Sequence, residues 1–126
     1  VNYWRNYKRS LRRIKKMITH VQKWEGHKNI IIFDERSDSS VQLVIYDDNQ
    51  EDAFLYSLYV AEVNRRLGNA NYLMVFAEKK AREFGCQSIS LRVRKTSPRW
   101  IKDLYESFGY EDTREDKEYC YLTKKI

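Results

Sequence analysis

Apolar side chains at the start of the chain recur with the period of a helix. They are three or four residues apart with basic side chains between them, which predicts an amphipathic α-helix over about 3–24, ended by Gly26. Its apolar side would face either the domain's own sheet or a partner helix. The apolar positions are Trp4, Tyr7, Leu11, Ile14, Ile18 and Val21.

From Asn29 onward, β-branched and apolar runs with turn-forming residues between them predict strands. The run at 53–60 is apolar on both alternating sides, as in a strand buried on both faces, and a polar loop at 47–52 precedes it. Two later segments have helical spacing, and the second begins at Pro98 behind the cap residue Ser97. The predicted strands are 29–34, 41–46, 53–60, 88–94 and 118–124, and the predicted helices are 69–84 and 98–108.

The order of these elements, α–β–β–β–α–β–α–β with one more strand optional at the end, predicts a mixed sheet with helices on its faces. Strands before the first crossover are expected to be antiparallel, whereas the strand–helix–strand unit over 53–94 is expected to be parallel and right-handed. A chain of 126 residues has the length of one domain. Residues 1–126 are therefore treated as a single domain, with a basic helix in 1–28 and a sheet core in 29–126.

The positive charge of the chain is concentrated at its start. The formal net charge is +6, yet residues 1–28 hold nine basic side chains against Glu25 alone. Such a segment can contact nucleic acid, an acidic partner or water. No apolar run is long enough to span a membrane. Two cysteines and two histidines far apart in the sequence form no metal-binding pattern, so no metal is expected and a cytoplasmic setting is the default.

The stretch LYVAEVNRRLGNA at 58–70 has the features of an anion-binding turn. A strand passes through a short loop into a helix, whose first backbone N–H groups lack intrahelical partners and lie at the positive end of the helix dipole. Gly68 and Ala70 keep side chains away from the main chain, and Arg65 and Arg66 add positive charge. Every strand-to-helix turn shares some of these features, so this pattern alone leaves a merely structural turn equally open.

The same stretch resembles the phosphate-binding signature of the GNAT N-acetyltransferase superfamily, Gln/Arg-x-x-Gly-x-Gly/Ala, in the form Arg65-x-x-Gly68-x-Ala70. The segments 81–93 and 104–110 are similar to two later motifs of that family. The resemblance implies an α/β (α+β) fold of GNAT type: a mixed, mostly antiparallel central sheet flanked by helices. Family members begin with a further strand before their first helix, which leaves open that this chain lacks that strand.

The resemblance also implies acetyl-CoA as cofactor, with its pyrophosphate on main-chain amides of 66–71 and its pantetheine arm in a cleft beside the central strand. The amide of Val60, or of a neighbour on that strand, would hold the thioester carbonyl. Tyr105 would protonate the departing thiolate. The implied cofactor-binding residues are Leu58, Tyr59, Val60, Arg65, Arg66, Leu67, Gly68, Asn69, Ala70, Asn71 and Tyr105.

The base that deprotonates the amine is less clearly marked. Glu51, Asp52 and Glu62 are the nearest carboxylates to the predicted central strand, and Glu62 joins Tyr105 and Val60 in the candidate catalytic set. Without the family resemblance, Tyr105 would be interpreted as a core residue, because it lies on the apolar side of its own helix.

Two functions follow from these observations. The first is an N-acetyltransferase acting by direct attack of a primary amine, on a small molecule or a protein, without a membrane partner. The alternative is a non-catalytic GNAT-like module that binds nucleic acid or an acidic partner through its basic first helix; no helix-turn-helix pattern supports nucleic acid. A homodimer is left open.

Overall fold

The computed structural model describes residues 17–35, 38–60 and 69–126, which form seven strands and two helices. The strands make one sheet in the order β1-β2-β3-β4-β5-β7-β6. The strands are β1 (Met17–Trp24), β2 (His27–Asp34), β3 (Ser39–Tyr46), β4 (Asn49–Val60), β5 (Ser88–Arg94), β6 (Glu111–Glu115) and β7 (Tyr119–Lys125), and the helices are α1 (Asn69–Glu83) and α2 (Arg99–Ser107).

The sheet is mixed and mostly antiparallel, which confirms the predicted fold class. Strands β1 to β4 form consecutive antiparallel pairs. The pair β4–β5 is parallel and is connected through α1, as expected for the strand–helix–strand unit. Strand β7 lies between β5 and β6 and is antiparallel to both. From β2 onward, the element order agrees with the prediction.

The prediction of a helix up to residue 24 is wrong over Met17–Trp24, which is strand β1. All eight residues of β1 pair with β2, and Gly26, at a φ of 85°, forms the tight turn between them. Ile18, Thr19 and Val21 are β-branched and suit a strand. Pairing with β2 therefore outweighs the helical spacing of the apolar residues. The rest of the predicted helix lies outside the described residues.

The prediction of a polar loop at 47–52 is also wrong, because β4 already begins at Asn49. Tyr46 pairs with Asn49, so only a two-residue turn at Asp47 and Asp48 remains. The Asp47 N–H donates to the carbonyl of Gly26 at 3.0 Å, which ties this turn to the neighbouring hairpin. Pairing of Asn49 with β3 and of Asp52 with β5 thus extends the strand into a polar sequence.

Two smaller predictions are corrected as well. The second half of β4 is not buried on both sides: Tyr56 is 67% exposed and Tyr59 is 49% exposed. Helix α2 begins one residue later than predicted, with Pro98 at the N-cap and no side-chain hydrogen bond at the cap, so Ser97 does not cap it. Neither helix of the described ranges is long and apolar enough to cross a membrane.

The main core lies between α1 and one face of the sheet, called here the helix face. Helix α1 contributes a stripe of fully buried side chains, and strands β2 to β5 and β7 contribute alternate residues to the same core. The opposite face of the sheet is called the second face. The principal core residues are Ile30, Ile32, Val41, Leu43, Leu73, Met74, Ala77, Ala81, Ile89, Leu91 and Leu122.

A buried ion pair joins α1 to β7. Glu78, 6% exposed, accepts a hydrogen bond from Lys124 Nζ at 2.5 Å. The Lys124 ammonium also lies 6.0 Å from the centroid of the Tyr110 ring, which is itself buried. Burial of an unpaired carboxylate is costly in free energy. The ammonium of Lys124 offsets that cost for Glu78.

We expect Lys124→Met to lower the free energy of unfolding by about 3 kcal/mol, because it keeps the aliphatic stem but leaves Glu78 buried without a partner. Lys125→Met is the matched control: Lys125 is exposed in the adjacent position, and its loss should cost less than about 0.5 kcal/mol. Urea denaturation measures both values. Equal stability of the two variants would contradict the role assigned to the ion pair.

Candidate functional site

The central strands β4 and β5 part from each other toward their carboxyl ends. Their parallel pairing is limited to Asp52–Ser88, Ala53–Ile89 and Phe54–Ser90. Beyond these three pairs β4 continues to Val60, paired with β3, and β5 continues to Arg94, paired with β7. The two strands therefore form a fork that is closed at Asp52 and open at Val60.

A hydrogen-bond network holds the closed end of the fork. The Oδ1 atom of Asp52 accepts from the hydroxyls of Ser88 at 2.6 Å and Ser90 at 3.0 Å. The Ser90 hydroxyl also lies 2.9 Å from that of Thr123 on β7. Hydrogen bonds among these side chains thus link β4, β5 and β7 across the paired end of the fork.

Strand β4 also contains a bulge just beyond the closed end. Gln42 pairs with Ser57 and Leu43 with Leu55, so Tyr56 is the extra residue. A bulge increases local twist and redirects the strand. It falls where β4 separates from β5, and it reverses the alternation of side chains in the remainder of the strand.

The predicted residues at the end of β4 lie beside the open fork. Leu58 and Val60 are half-buried and pack against the core of the helix face, whereas Tyr59 is exposed. Peptide amides along a strand point alternately to its two neighbours. Alternate amides of this segment are therefore directed toward the side from which β5 has departed, which is the geometry that a donor to a thioester carbonyl requires.

Helix α1 begins at Asn69, shortly after β4 ends, and its first turn includes Ala70 and Asn71. That first turn contains no acidic residue. The positive end of the helix dipole is therefore not neutralised by the helix's own side chains there, which fits an anion. The other predicted residues of this segment, Glu62, Arg65, Arg66, Leu67 and Gly68, lie outside the described residues.

Tyr105 lies on α2, where it packs against the core with its ring edge-on to that of Tyr110, at a centroid distance of 6.3 Å. Burial raises the pKa of Tyr105. Burial, with the nearby charge of Glu78, also raises the pKa of Tyr110. Tyr105 therefore keeps its proton at neutral pH, as a general acid must.

Two of the three candidate bases stand at the wrong end of the fork. Glu51 and Asp52 precede Val60 by nine and eight residues, which at about 3.3 Å per residue is a separation of roughly 25–30 Å. Asp52 is in addition bonded to two serine hydroxyls. Their sequence position before the central strand suggested proximity, but the polar loop expected there is itself part of β4.

Sequence reasoning missed a different set of carboxylates at the open end. Ser39 pairs with Val60, and beside it a cavity of about 490 Å³ is lined by Asp34, Glu35 and Asp38. The remaining lining residues are Ile31, Phe33, Ser39 and Ser40. The sequence shows these acidic residues only as parts of a hairpin turn, and the β3–β4 register is what places them near the fork.

Residues 9–110 match the family model described as "Acetyltransferase (GNAT) family". The chain belongs to the GNAT acetyltransferase family. The expected family is thereby confirmed, together with its enzyme class, acyl-CoA-dependent N-acetyltransferases, and its acyl donor, acetyl-CoA. A comparison with curated proteins found no match.

Solved GNAT structures have the same fold as this chain at low sequence identity. A GNAT family acetyltransferase from Elizabethkingia anophelis with acetyl-CoA bound has a TM-score of 0.65 at 12% identity, over 88% of this chain and 99% of that chain. The N-acetyltransferase PseH of Campylobacter jejuni has a TM-score of 0.63 at 17% identity, over 97% and 79%. A Bacillus subtilis acetyltransferase in complex with CoA has a TM-score of 0.62 at 14% identity, over 88% and 99%.

Cys86 is a poor candidate for a covalent nucleophile in this GNAT domain. It is 4% exposed, its thiol donates to the Gln50 carbonyl at 3.3 Å, and burial, with the charge of Asp52, raises its pKa. A thiol with a raised pKa carries little thiolate at neutral pH.

We therefore expect Cys86 of the native protein to resist iodoacetamide at pH 8, and to react fully once urea has unfolded the chain. Mass spectrometry of the peptide that contains Cys86 measures both states. Alkylation of the folded protein at the rate of a free thiol would contradict the burial and protonation state described for this residue.

Proposed function

We propose that this chain transfers the acetyl group of acetyl-CoA directly to a primary amine. The observation that carries the proposal is the fork between β4 and β5, which opens beside the start of α1 in a chain of the GNAT family. The proposal takes residues 1–126 as one domain. Cytoplasmic location remains a prediction, and a homodimer stays open.

Binding of the cofactor is assigned to the start of α1 and the end of β4. Main-chain amides of 66–71 bind the pyrophosphate, helped by the positive end of the helix dipole and by Arg65 and Arg66. The absence of acidic side chains from the first turn of α1 supports this assignment. Leu58, Tyr59 and Val60 border the fork, where the pantetheine arm enters.

Catalysis is assigned to donors of the chain on either side of the reacting thioester, which acetyl-CoA supplies when bound. The amide of Val60 or of a neighbour on β4 donates to the carbonyl oxygen, on which negative charge develops as the amine attacks. The bond from nitrogen to the acetyl carbon forms, the bond to sulfur breaks, and Tyr105 donates its proton to the sulfur. Glu62 is the proposed acceptor, through water, of the proton that the amine loses.

The non-catalytic alternative is not favoured. It uses the basic helix predicted over about 3–24, but Met17–Trp24 is an edge strand of the sheet, and the remainder of that helix lies outside the described residues. Family membership instead favours the enzyme.

We expect acetyl-CoA to raise the melting temperature of the protein, by mass action on the folded state. Asn71→Asp should change two measurements in opposite directions. A carboxylate in the first turn of α1 stabilises the free protein by about 0.3–1 kcal/mol, and it weakens acetyl-CoA binding by about five- to tenfold through repulsion of the pyrophosphate.

The control for that prediction is Asn49→Asp, which makes the same change at an exposed position at the opposite end of β4. Melting curves and isothermal titration measure stability and affinity. If Asn71→Asp and Asn49→Asp bind acetyl-CoA equally well, the start of α1 is not the pyrophosphate site.

Tyr105→Phe should lower kcat by about 100-fold and leave the KM for acetyl-CoA nearly unchanged, because the hydroxyl acts only when the thiolate leaves. Tyr110→Phe is the matched control: its ring contacts that of Tyr105, and its buried hydroxyl has no hydrogen-bond partner within the described part of the chain. Thiol release during turnover gives both constants. Equal kcat values for the two variants would show that Tyr105 only packs.

A further inference from the structure

Three arginines stack on two tyrosines along the second face of the sheet. The guanidinium carbon of Arg92 lies 4.1 Å from the centroid of the Tyr119 ring, and that of Arg94 lies 5.2 Å from the same ring. On the neighbouring strand β6, the guanidinium carbon of Arg114 lies 3.7 Å from the Tyr121 centroid. All three arginines are exposed. Their charged groups are therefore accessible at this face.

The turn between β6 and β7 holds the hydroxyl of Tyr121 and the backbone of Tyr119, and the Tyr119 ring lies 6.2 Å from that of Tyr121, between centroids. The Oδ2 atom of Asp116 accepts from the Tyr121 hydroxyl at 2.8 Å, and Oδ1 accepts from the backbone N–H groups of Glu118 at 2.8 Å and Tyr119 at 2.7 Å. These bonds lower the pKa of Asp116. Stacking on a fixed ring restricts the guanidinium plane and leaves its edge donors free to bind a carboxylate or a phosphate in a fork geometry.

Within the described ranges, Arg92 and Arg94 take part in no ion pair; the pairs involve other residues, such as Arg99 with Asp103 and Lys102 with Asp112. An exposed arginine held by an aromatic ring and without an acidic partner is available to a ligand. Arginines in this state are suited to bind an oxyanion.

The two arginines lie along the open side of the fork. Ser90 is the last residue of β5 that pairs with β4, and Arg92 and Arg94 follow it on the same face, two and four residues on. Across the opening, Asp34, Glu35 and Asp38 line the cavity next to the end of β4. The open end of the fork is thus flanked by positive charge on one side and by carboxylates on the other.

We propose that Arg92 and Arg94 bind an oxyanion of the acceptor, so that the acceptor is an amine that also carries a carboxylate or a phosphate. This inference rests on the proposed function. Because α1 packs over the helix face, we assign the approach of the acceptor to the second face, where the arginines of β5 are exposed. The arginines bind its anionic end and orient its amine toward the thioester, while the carboxylates of the cavity attract the amine in its cationic form, before it loses its proton and attacks.

Two pairs of probe amines test this inference: O-phosphoethanolamine against ethanolamine, and β-alanine against β-alaninamide. Each pair has the same type of amine and differs in the anionic group, and the two pairs distinguish phosphate from carboxylate. We expect kcat/KM to be at least tenfold higher for the anionic member of one pair. Arg92→Gln and Arg94→Gln should each lower that value about 10- to 100-fold, as for a lost charge-assisted hydrogen bond, and leave the KM for acetyl-CoA unchanged.

Arg114→Gln is the matched control, since Arg114 is stacked in the same way but lies two strands away from the fork. It should leave the preference for the anionic probe intact. If thiol is released with both members of each pair at equal efficiency, or if Arg92→Gln and Arg114→Gln behave alike, the inference is overturned while the proposed function stands.

If acetyl-CoA binds but no probe is acetylated, calorimetric titration of O-phosphoethanolamine and β-alanine into the CoA-loaded protein decides: binding lost in Arg92→Gln supports the inference, and the absence of binding overturns it. A protein that does not bind acetyl-CoA at all would instead fail the proposed function, and the inference with it.

Discussion

The arrangement of this domain depends on how backbone hydrogen bonds are satisfied where two central strands separate. A strand inside a sheet normally bonds to neighbours on both sides, and buried amides without partners are costly. Here β4 keeps β3 as a neighbour and β5 keeps β7, so each parted strand retains one ladder, which the bulge at Tyr56 interrupts in β4. The Asp52 network closes the fork at the other end, and the separation remains local.

The two faces of the sheet contribute different groups to the proposed site beside the fork. On the helix face, α1 packs on the core, and its first turn, which carries no acidic residue, is the place proposed for the pyrophosphate of acetyl-CoA. The stacked arginines of β5 lie on the second face at one side of the opening, and the cavity lined by Asp34, Glu35 and Asp38 lies near the end of β4 on the other side. In the function proposed here, acetyl-CoA and the amine therefore reach the fork from different faces of the sheet.

Much of the fold follows from local pattern. The helix at 69–84 and the strand at 88–94 have clean periods and clear stops, and the structure places them within one residue of the prediction. The prediction of a helix at 17–24 failed because the apolar residues there suit the period of a helix as well as that of a strand. The partner that decides between them, β2, lies on the other side of a turn. The prediction of a loop at 47–52 failed because backbone pairing, of Asn49 with β3 and of Asp52 with β5, does not require apolar side chains.

The residues of the candidate site likewise fall into some that local sequence predicted and some that only the fold brought together. Motifs at 65–70 and 104–110 are local in sequence, so family, acyl donor and the roles proposed for Gly68 and Tyr105 could be predicted from the chain alone. Strand register is a long-range property, because it is set by which strands pair and by single-residue bulges such as Tyr56. Only the tertiary structure could therefore remove Glu51 and Asp52 from the open end, bring Asp34 and Asp38 toward it, and set Arg92 and Arg94 beside the fork.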